Sequence, residues 1–431
     1  MRGLKLTVIG AGSTYTPEIA EGLIARRATL PIDTLCFMDV NLDKMGVVAA
    51  LVERMLDRSG FKGRFIQTDD LGLALDGADY VIAQIRVGGL DARILDEKLP
   101  LKHRLLGQET TGIGGFMNAL RSVGPVMHIA REMERRCPSA WFINFSNPSG
   151  ILAEAVLAHT SVRMLGLCNC PINMLASVRD EMTGGRDFDY DYVGLNHLSW
   201  ITSVRLEGRE LLSPGAFSVG RGMANIPQVD LSEPLLRAVG AIPSSYLGYY
   251  YNREAHLEKC LSAELSRGEE CRAIERSLLD QYADPHLSEK PEALAKRGGA
   301  LYSTAAVNLI NAIHNDLRDR QVVNTRNRGA LRFMDADDVV EIPCEIGRDD
   351  VVPIAPYAPV NAHIASLMRA VKAYEKLTVE AALTGDRDIA LAALLTHPLI
   401  GDYERAAGAL GEMLEANRQW LPQFQSWGRM A

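Results

Sequence analysis

Residues 4 to 17 of the chain read Leu4-Lys5-Leu6-Thr7-Val8-Ile9-Gly10-Ala11-Gly12-Ser13-Thr14-Tyr15-Thr16-Pro17. The apolar run up to Ile9 predicts a short strand, and the spacing of residues 16–28 predicts a helix directly after it. Between them, Gly10 and Gly12 allow a tight turn and a close approach of the backbone to a pyrophosphate, which the helix N-terminus would attract. Tyr15 stands where the usual fingerprint has a third glycine, so the two glycines could also simply end the strand.

An acidic residue closes the next predicted strand, which spans Leu35–Asp39. A carboxylate at this place can accept hydrogen bonds from the adenosine ribose and would repel a 2′-phosphate, which favours NAD over NADP. An ordinary turn aspartate is the alternative. We therefore predict an NAD site made of the turn and this strand end, with contributions from Gly10, Gly12, Ser13, Thr14 and Asp39.

Strands and helices alternate through the first 170 residues, which predicts a parallel sheet with helices on both faces. After the helix at 42–58, the predicted strands lie at 64–68, 80–84, 140–144 and 164–167. We expect an α/β protein in which residues 1–170 form a Rossmann-type, doubly wound NAD-binding domain.

The pattern changes beyond residue 170. Two strands of a different sheet are predicted at 192–195 and 199–206, helices over 246–314 and 361–414, and an extended segment at 331–343. We expect residues 171–431 to form a helix-rich, mixed α/β domain for substrate, metal and oligomerisation. No linker separates the two parts, so they should share the cleft in which a ligand binds.

The composition is that of an ordinary globular protein, with 431 residues, 47% hydrophobic and 23% charged. A net charge of −8 without a long basic run gives no footprint for nucleic-acid binding. No apolar stretch of about 20 residues is present to cross a membrane, and no signal peptide is recognisable. The seven scattered cysteines are expected to be thiols in a reducing compartment. These features predict a cytoplasmic protein.

Polar residues follow several predicted strands, and the carboxyl ends of such strands face the ligand crevice of a doubly wound sheet. Asn147 follows one strand, Cys168 and Cys170 follow the next, and His197 follows a later one. A cysteine and a histidine could share a metal that keeps open positions for substrate oxygens, although each could equally serve packing alone. The sequence does not say which cysteine faces the crevice.

Four tyrosines lie within residues 246–251, a pattern that most often forms a helical packing surface. A catalytic role for Tyr246 would require a nearby cation or metal to lower its pKa. Arg93, Arg267 and Arg297 could each bind a phosphate, but their spacing alone does not single them out.

Taken in order, the motifs resemble glycoside hydrolase family 4, over about residues 5 to 414. They are Gly-Ala-Gly-Ser-Thr-Tyr-Thr-Pro at 10–17, the glycine-rich loop 107–115, Asn-Pro-Ser-Gly at 147–150, Gly-Leu-Cys-Asn at 166–169, Gly-Leu-Asn-His-Leu at 194–198, Tyr-Leu-Gly-Tyr-Tyr at 246–250, Lys-Arg-Gly-Gly at 296–299 and Asn-Thr-Arg-Asn at 324–327. This family depends on NAD and is an exception to the two-carboxylate glycosidases.

The resemblance implies a fold similar to that of lactate and malate dehydrogenases, and an unusual hydrolysis. NAD oxidises C3 of the sugar, a base removes the C2 proton, and a divalent metal, usually Mn²⁺, stabilises the resulting charge. The aglycone leaves by elimination, water adds at C1, and the hydride returns. A homodimer or homotetramer is expected.

The resemblance also implies roles for individual residues. Cys168 and His197 match the metal ligands, Tyr246 the base, and Glu109 the acidic residue that raises the basicity of the tyrosine. The substrate contacts match Arg93, near the 6-phosphate, Asn147 and, with a one-residue shift, Arg267. Asn169 stands where α-specific members carry an aspartate proton donor, which indicates the β-glycosidase branch. Cys170 departs from the usual apolar residue.

The predicted function is hydrolysis of 6-phospho-β-D-glucosides to glucose 6-phosphate and an alcohol or sugar. One alternative is an NAD-dependent 2-hydroxy-acid dehydrogenase of the lactate or malate type. Such an enzyme has no need of the metal pair or of the Tyr246 region, and it would accumulate NADH. A second alternative is a nucleotide-sensing module that binds NAD without turnover.

Overall fold

The computed structural model describes residues 3–212, 231–297 and 302–425. Its main sheet is built outward from strand β1, Leu4–Ile9, which pairs in parallel with two other strands. The parallel strands on the two sides of β1 are β2 Ile32–Met38, β3 Arg64–Thr68, β4 Tyr80–Ala83, β5 Trp141–Asn144 and β6 Arg163–Gly166, and β2 and β4 are its direct neighbours.

Helices follow the strands of this first half, as a parallel sheet requires of its crossover connections. They are α1 Thr16–Ala25, α2 Leu42–Ser59, α3 Leu71–Leu75, α4 Gly89–Lys98, α5 Gly112–Arg136, α6 Ser149–His159 and α7 Cys170–Glu181. Asn41 caps the N-terminus of α2 by accepting from the Lys44 backbone, and Gly60 ends that helix in the left-handed conformation.

The second half contributes strands to two sheets. A small antiparallel sheet contains β7 Asp189–Leu195, β8 Leu198–Leu206, β9 Arg209–Glu210 and β10 Ile242–Pro243. Three further strands extend the main sheet beyond β6 in antiparallel fashion, and they are β11 Asp319–Arg326, β12 Val339–Ile346 and β13 Val351–Pro353. The main sheet therefore runs in the order β13-β12-β11-β6-β5-β4-β1-β2-β3.

The helices of the second half are α8 Glu233–Val239, α9 Gly248–Tyr251, α10 Arg253–Ser262, α11 Arg267–Tyr282, α12 Tyr302–Asn315, α13 Ala362–Thr384, α14 Arg387–Thr396 and α15 Tyr403–Ala416. Short 3₁₀ turns lie at Leu99–His103, Ser245–Leu247, Glu292–Arg297, Arg418–Trp420 and Pro422–Phe424. Among the described residues, no helix is long and apolar enough to span a membrane.

The predicted α/β fold is confirmed, and the predicted strands of the first half lie within a few residues of their observed bounds. One prediction for the second half was wrong in detail. Residues 331–338 form turns rather than extended chain, and strand β11 was not predicted. Residues 361–414 form three helices, because Gly385 ends α13 with a φ of 74° and Asp386 and Asp402 cap the two that follow.

The two halves contribute to the same hydrophobic clusters. Buried residues of α12, among them Val307 and Ile310, belong to the same apolar cluster as Leu6 and Val8 of β1. A sheet face that is covered by a helix from the other half does not have an independent interior. The division into two domains at residue 170 therefore stays a prediction. The main sheet contains strands from both sides of that residue.

Candidate active site

The turn after β1 is shaped so that a side chain would not fit at its first glycine. Gly10 has a φ of 82°, and a Cβ there would lie 2.8 Å from the Gln84 carbonyl oxygen. At Gly12, a Cβ would meet the carboxylate of Asp39 at 2.9 Å. These contacts explain both glycines and leave a concave backbone surface at the start of α1, where a pyrophosphate can approach.

Asp39 braces this turn. Its carboxylate accepts from the Gly12 backbone at 2.8 Å and from the Asn41 backbone at 2.9 Å. Ser13 lies at the surface of the turn, whereas Thr14 is fully buried beneath it and its carbonyl accepts from the Tyr282 hydroxyl at 2.7 Å. Of the five predicted cofactor residues, Thr14 therefore supports the turn from below instead of facing the open side.

A cavity of about 640 Å³ extends from this turn toward the ends of β4 and β5. Predicted cofactor and substrate residues line it together, and they are Gly10, Gly12, Ser13, Asp39, Arg93, Glu109 and Asn147. The cavity falls within the roughly 300–1,000 Å³ that small-molecule and cofactor sites commonly occupy. The open side of the glycine turn, the braced carboxylate and this volume fit NAD.

Glu109 lies at the centre of a buried ion-pair network on the wall of the cavity. Its Oε2 pairs with Arg86 at 2.6 Å and its Oε1 with Arg93 at 3.1 Å. Arg93 also pairs with Glu97 at 2.8 Å and is only 4% exposed. The two arginines therefore hold Glu109 as a carboxylate, and Arg93 is less accessible than its predicted contact with a phosphate implied.

The predicted metal ligands meet next to this network. Cys168 Sγ lies 3.5 Å from His197 Nε2, although the two residues are 29 positions apart. The Tyr246 ring lies against the His197 ring with a centroid separation of 4.1 Å. The structure thus brings three of the predicted residues together, and all three are buried behind the cavity wall rather than on its lining.

The structure also distinguishes the two cysteines. Cys170 turns away from His197, and its sulfur contacts the Met174 sulfur at 3.9 Å within the apolar cluster beside α7. Cys168 accepts instead from the Cys170 backbone at 3.4 Å. Of the two cysteines, Cys168 is therefore the one placed to bind a cation together with His197.

The protonation states of His197 and Cys168 are compatible with the binding of a cation. Burial lowers the pKa of His197 to about 4, against a smaller opposing effect of Glu109, so its ring is neutral and able to bind metal. Burial, reinforced by Glu341, raises the pKa of the Cys168 thiol well above its usual range. A bound divalent cation reverses this preference, because a coordinating thiol is deprotonated.

The geometry of the pair fits a divalent metal. A sulfur and a nitrogen bound to one ion at roughly 2.3 and 2.1 Å lie about 3.1–3.6 Å apart, depending on the bond angle. Nδ1 of His197 is buried and forms no well-aligned hydrogen bond with a described residue. The nearby Thr110 backbone raises the pKa of the ring, but the opposing effect of burial is larger. In the described part of the chain, no three His, Cys, Asp or Glu side chains group as metal ligands.

The other predicted residues are more dispersed. Asn147 is half-buried on the cavity wall after β5, and Asn169 is buried at the N-terminus of α7 beside Cys168. Arg267 begins α11 and pairs with Glu270 at 2.8 Å, outside the cavity lining that the described residues form. The side chain of Arg297 lies outside the described residues.

Sequence reasoning missed Arg86, which lines the cavity and pairs with Glu109. It comes shortly after β4, so the rule that singled out Asn147 and Cys168 at strand ends applied to it as well.

Comparison with known proteins gives this arrangement a family. The sequence model described as "Family 4 glycosyl hydrolase" matches residues 5–183, and that of the "Family 4 glycosyl hydrolase C-terminal domain" matches residues 192–400. The fold and the site define a dinucleotide-binding α/β protein with a buried Cys168–His197 pair beside its cavity. The chain belongs to the family 4 glycosyl hydrolases, as its motifs predicted.

Relatives within this family cover nearly the whole chain. A probable 6-phospho-β-glucosidase of Bacillus subtilis is 38% identical and covers 98% of both chains. A 6-phospho-β-glucosidase structure from Thermotoga maritima, with manganese, NAD⁺ and glucose 6-phosphate, has a TM-score of 0.89 at 36% identity and covers 97% of this chain and 99% of its own.

The predicted likeness to the dehydrogenases is confirmed at the level of the fold alone. Malate dehydrogenase from Plasmodium falciparum has a TM-score of 0.54 at 12% identity, and it covers 90% of this chain and 99% of its own. Since an identity this low carries no information about the reaction, the dehydrogenase alternative gains no support from the shared fold.

Proposed function

We propose that this protein hydrolyses 6-phospho-β-D-glucosides to glucose 6-phosphate and an alcohol or sugar, with NAD and a divalent metal, Mn²⁺ in the first place, as cofactors. The observation that carries the proposal is the meeting of Cys168, His197 and Tyr246 beside the cavity that begins at the glycine turn. A dehydrogenase of 2-hydroxy acids would not need this group. The names of the relatives that cover the chain support the phosphorylated β-glucoside as substrate.

The residues divide the work as follows. Gly10, Gly12, Ser13 and Asp39 hold NAD, with Thr14 beneath them, and Cys168 and His197 hold the metal. When bound, NAD accepts and returns the hydride of sugar C3, and the metal polarises the neighbouring sugar oxygens. Arg93 and Asn147, which line the cavity, bind and orient the sugar phosphate.

Proton transfer falls to Tyr246. Its phenol stands against the neutral His197 ring. A metal ion bound to His197 would supply the positive charge that favours the phenolate, which could then take the C2 proton. Glu109 raises the basicity of the tyrosine. Asn169 cannot donate a proton as a carboxylic acid does, and this supports a β-glucoside as substrate. The proton that the leaving oxygen needs to form the alcohol then comes from solvent water.

An assay with p-nitrophenyl β-glucoside, with and without a 6-phosphate, tests the proposal. We expect release of p-nitrophenol from the phosphorylated compound alone, dependent on NAD and Mn²⁺, abolished by chelator and by Cys168→Ser, and without net formation of NADH. Accumulation of NADH from a 2-hydroxy acid would establish the dehydrogenase instead. Turnover that survives complete removal of metal would refute the role of the Cys168–His197 pair.

The remaining parts of the proposal concern the state of the protein. We propose a cytoplasmic enzyme that forms a homodimer or homotetramer. Light scattering coupled to size-exclusion chromatography measures the molar mass directly, and a mass equal to that of one chain would contradict the oligomer.

A further inference from the structure

The two proposed metal ligands belong to separate parts of the chain. Cys168 follows β6 of the main sheet, whereas His197 lies on the two-residue turn that joins β7 to β8 of the small sheet. Because a shared metal demands a fixed distance between them, something must hold the two sheets together at this point. We propose that Glu341 is a positioning residue that does so and thereby sets the affinity of the metal site. This inference rests on the metal role proposed above.

The turn that carries His197 needs such support. Its flanking residues Leu195 and Leu198 pair with each other, and His197 itself has a φ of 63°. A residue other than glycine pays a penalty of roughly 1–2 kcal/mol in this left-handed region. Such a conformation persists where the surroundings hold it, and it is typical of functional sites.

Glu341 is fully buried on β12, and three donors converge on its carboxylate. Oε1 accepts from Asn196 Nδ2 and from Asn324 Nδ2, each at 3.2 Å. Oε2 accepts from the Tyr192 hydroxyl at 2.7 Å. A buried carboxylate that accepts several hydrogen bonds from different elements acts as a rigid junction, since losing it leaves each donor buried without a partner.

One arm of this junction reaches the histidine turn. Asn196 immediately precedes His197 on the turn, and its side chain donates to Glu341 Oε1. The Asn196 Oδ1 accepts from the Gly150 backbone at 3.4 Å, which orients the amide. The hydroxyl of Tyr192, on strand β7 that leads into the turn, lies 2.7 Å from the hydroxyl of Ser199 on β8. Glu341 therefore holds β7 and the turn directly, and it reaches β8 only through the contact of Tyr192 with Ser199.

The other arm reaches the strand that leads to the cysteine. Asn324 on β11 lies opposite Gly166, the last residue of β6, and donates to the Gly166 carbonyl at 3.3 Å. Cys168 follows two residues later. A single carboxylate thus links the backbone before Cys168 to the turn bearing His197. Outer residues that orient metal ligands in this way typically change metal affinity by about 10–100-fold when they are removed.

The test measures metal binding without turnover. Metal-free protein saturated with NAD is titrated with Mn²⁺, and free Mn²⁺ is followed by its electron paramagnetic resonance signal. We expect Glu341→Leu to raise the Kd for Mn²⁺ by about 10–100-fold, while the Kd for NAD stays within about twofold of the wild type. Glu341→Gln should change the Kd by less than about threefold. Its amide oxygen can still accept from both asparagines, and its NH₂ can donate to the Tyr192 oxygen.

Two further variants keep the inference falsifiable. If Glu341→Leu does not fold, Asn324→Ala removes only the arm to β6 and should still raise the Kd for Mn²⁺ measurably. The matched control is Glu154→Gln, since Glu154 is another buried carboxylate that accepts from the β12 backbone, at Val339, and pairs with Lys372 at 2.8 Å. It contacts neither arm, so it should lower the melting temperature but leave the Kd for Mn²⁺ unchanged.

The possible results separate this inference from the proposed function. Folded Glu341→Leu, or in its place folded Asn324→Ala, with wild-type affinity for Mn²⁺ would overturn the positioning role, as would an equal loss of NAD and Mn²⁺ affinity. If the wild-type protein itself bound no Mn²⁺, the proposed metal site and this inference would fail together. Selective loss of Mn²⁺ affinity in Glu341→Leu with rescue by glutamine supports the junction.

Discussion

At the scale of single residues, the site depends on side chains whose environment differs sharply from that of the surface. His197 and Cys168 are held in their neutral forms by burial, and Tyr246 is packed against the histidine. A metal that binds here has to displace a proton from the thiol but none from the imidazole. The affinity for metal should therefore rise with pH across the neutral range, because the Cys168 thiol must lose its proton and because burial raises the pKa of the neighbouring Glu341 to about 7.

Tyr246→Phe tests the proposed base. The substitution keeps the ring and its contact with His197, so the protein should fold and bind Mn²⁺ and NAD, yet lose most turnover. In deuterium oxide, wild-type product should carry deuterium at C2, because the removed proton exchanges with solvent before it is returned. Tyr251→Phe is a suitable control, since its hydroxyl bonds Trp200 and His363 instead. Product without deuterium, together with no isotope effect at C2 or C3, would reject this route.

Arg93 requires a more careful substitution than the sequence implied. Arg93→Ala would leave Glu97 and Glu109 with one fewer buried partner, and breaking such a pair costs about 3–5 kcal/mol of stability. Arg93→Lys keeps the charge but loses the forked geometry. It should raise KM for the phosphorylated substrate by roughly tenfold or more and leave that for an unphosphorylated analogue nearly unchanged.

The neighbouring surface residue Arg272 provides the control for this experiment. It is about half exposed and pairs only with Asp91 among the ion pairs of the described chain. Arg272→Ala should change neither KM nor stability appreciably, because exposed pairs contribute about 0–1 kcal/mol. If Arg93→Lys raised KM equally for the phosphorylated substrate and the unphosphorylated analogue, Arg93 would support the structure without binding the phosphate.

At the scale of secondary-structure elements, the unit of strand β1, the glycine turn and helix α1 governs cofactor binding. The turn tolerates no side chain at Gly10, where the nearest neighbour is backbone that cannot move aside. The periodicity of the flanking residues, by contrast, would form the same strand and helix with many substitutions. Sequence therefore predicts the elements reliably, while the contacts of the turn decide whether it can receive a ligand.

Gly10→Ala should disrupt the turn. The added Cβ would lie 2.8 Å from the Gln84 carbonyl oxygen at a φ of 82°, so we expect a loss of at least about 1 kcal/mol in unfolding free energy and a large rise in the Kd for NAD. Gly46→Ala is the control, because nothing lies within 4 Å of a Cβ at this position inside α2. It should stabilise the protein by about 0.5–1 kcal/mol, measured by denaturant unfolding, with unchanged NAD binding. Wild-type NAD affinity in a folded Gly10→Ala protein would contradict the cofactor role of the turn.

At the scale of the whole molecule, the active site is assembled from both halves of the chain. The main sheet takes three strands from residues 319–353, and the small sheet supplies the turn with His197. The first half accordingly holds the glycine turn and Cys168, whereas His197 and Tyr246, the proposed second metal ligand and the proposed base, come from the second half. A metal site divided in this manner would exist only when both halves are folded against each other.

A fragment of residues 1–183 tests how far the halves depend on each other. Its sheet would lose the cover of α12 and expose the edge of β6 that β11 protects. An open edge and an uncovered apolar face favour aggregation, so we expect no cooperative thermal transition and no NAD binding. A soluble fragment that melts cooperatively and binds NAD would instead support an independent domain, as the predicted division near residue 170 implies.

The sequence by itself determined the α/β class, the position of the glycine turn and Asp39, and a set of candidate site residues. These features follow from local patterns, because hydrophobic periodicity and strand-end positions depend only on neighbours along the chain. Only the tertiary structure decided that Cys168 rather than Cys170 meets His197, that two arginines hold Glu109, and that Glu341 joins the two ligand-bearing elements. Each of these depends on the direction of side chains at distant points of the chain, which is set by how the two sheets pack and leaves no trace in local spacing.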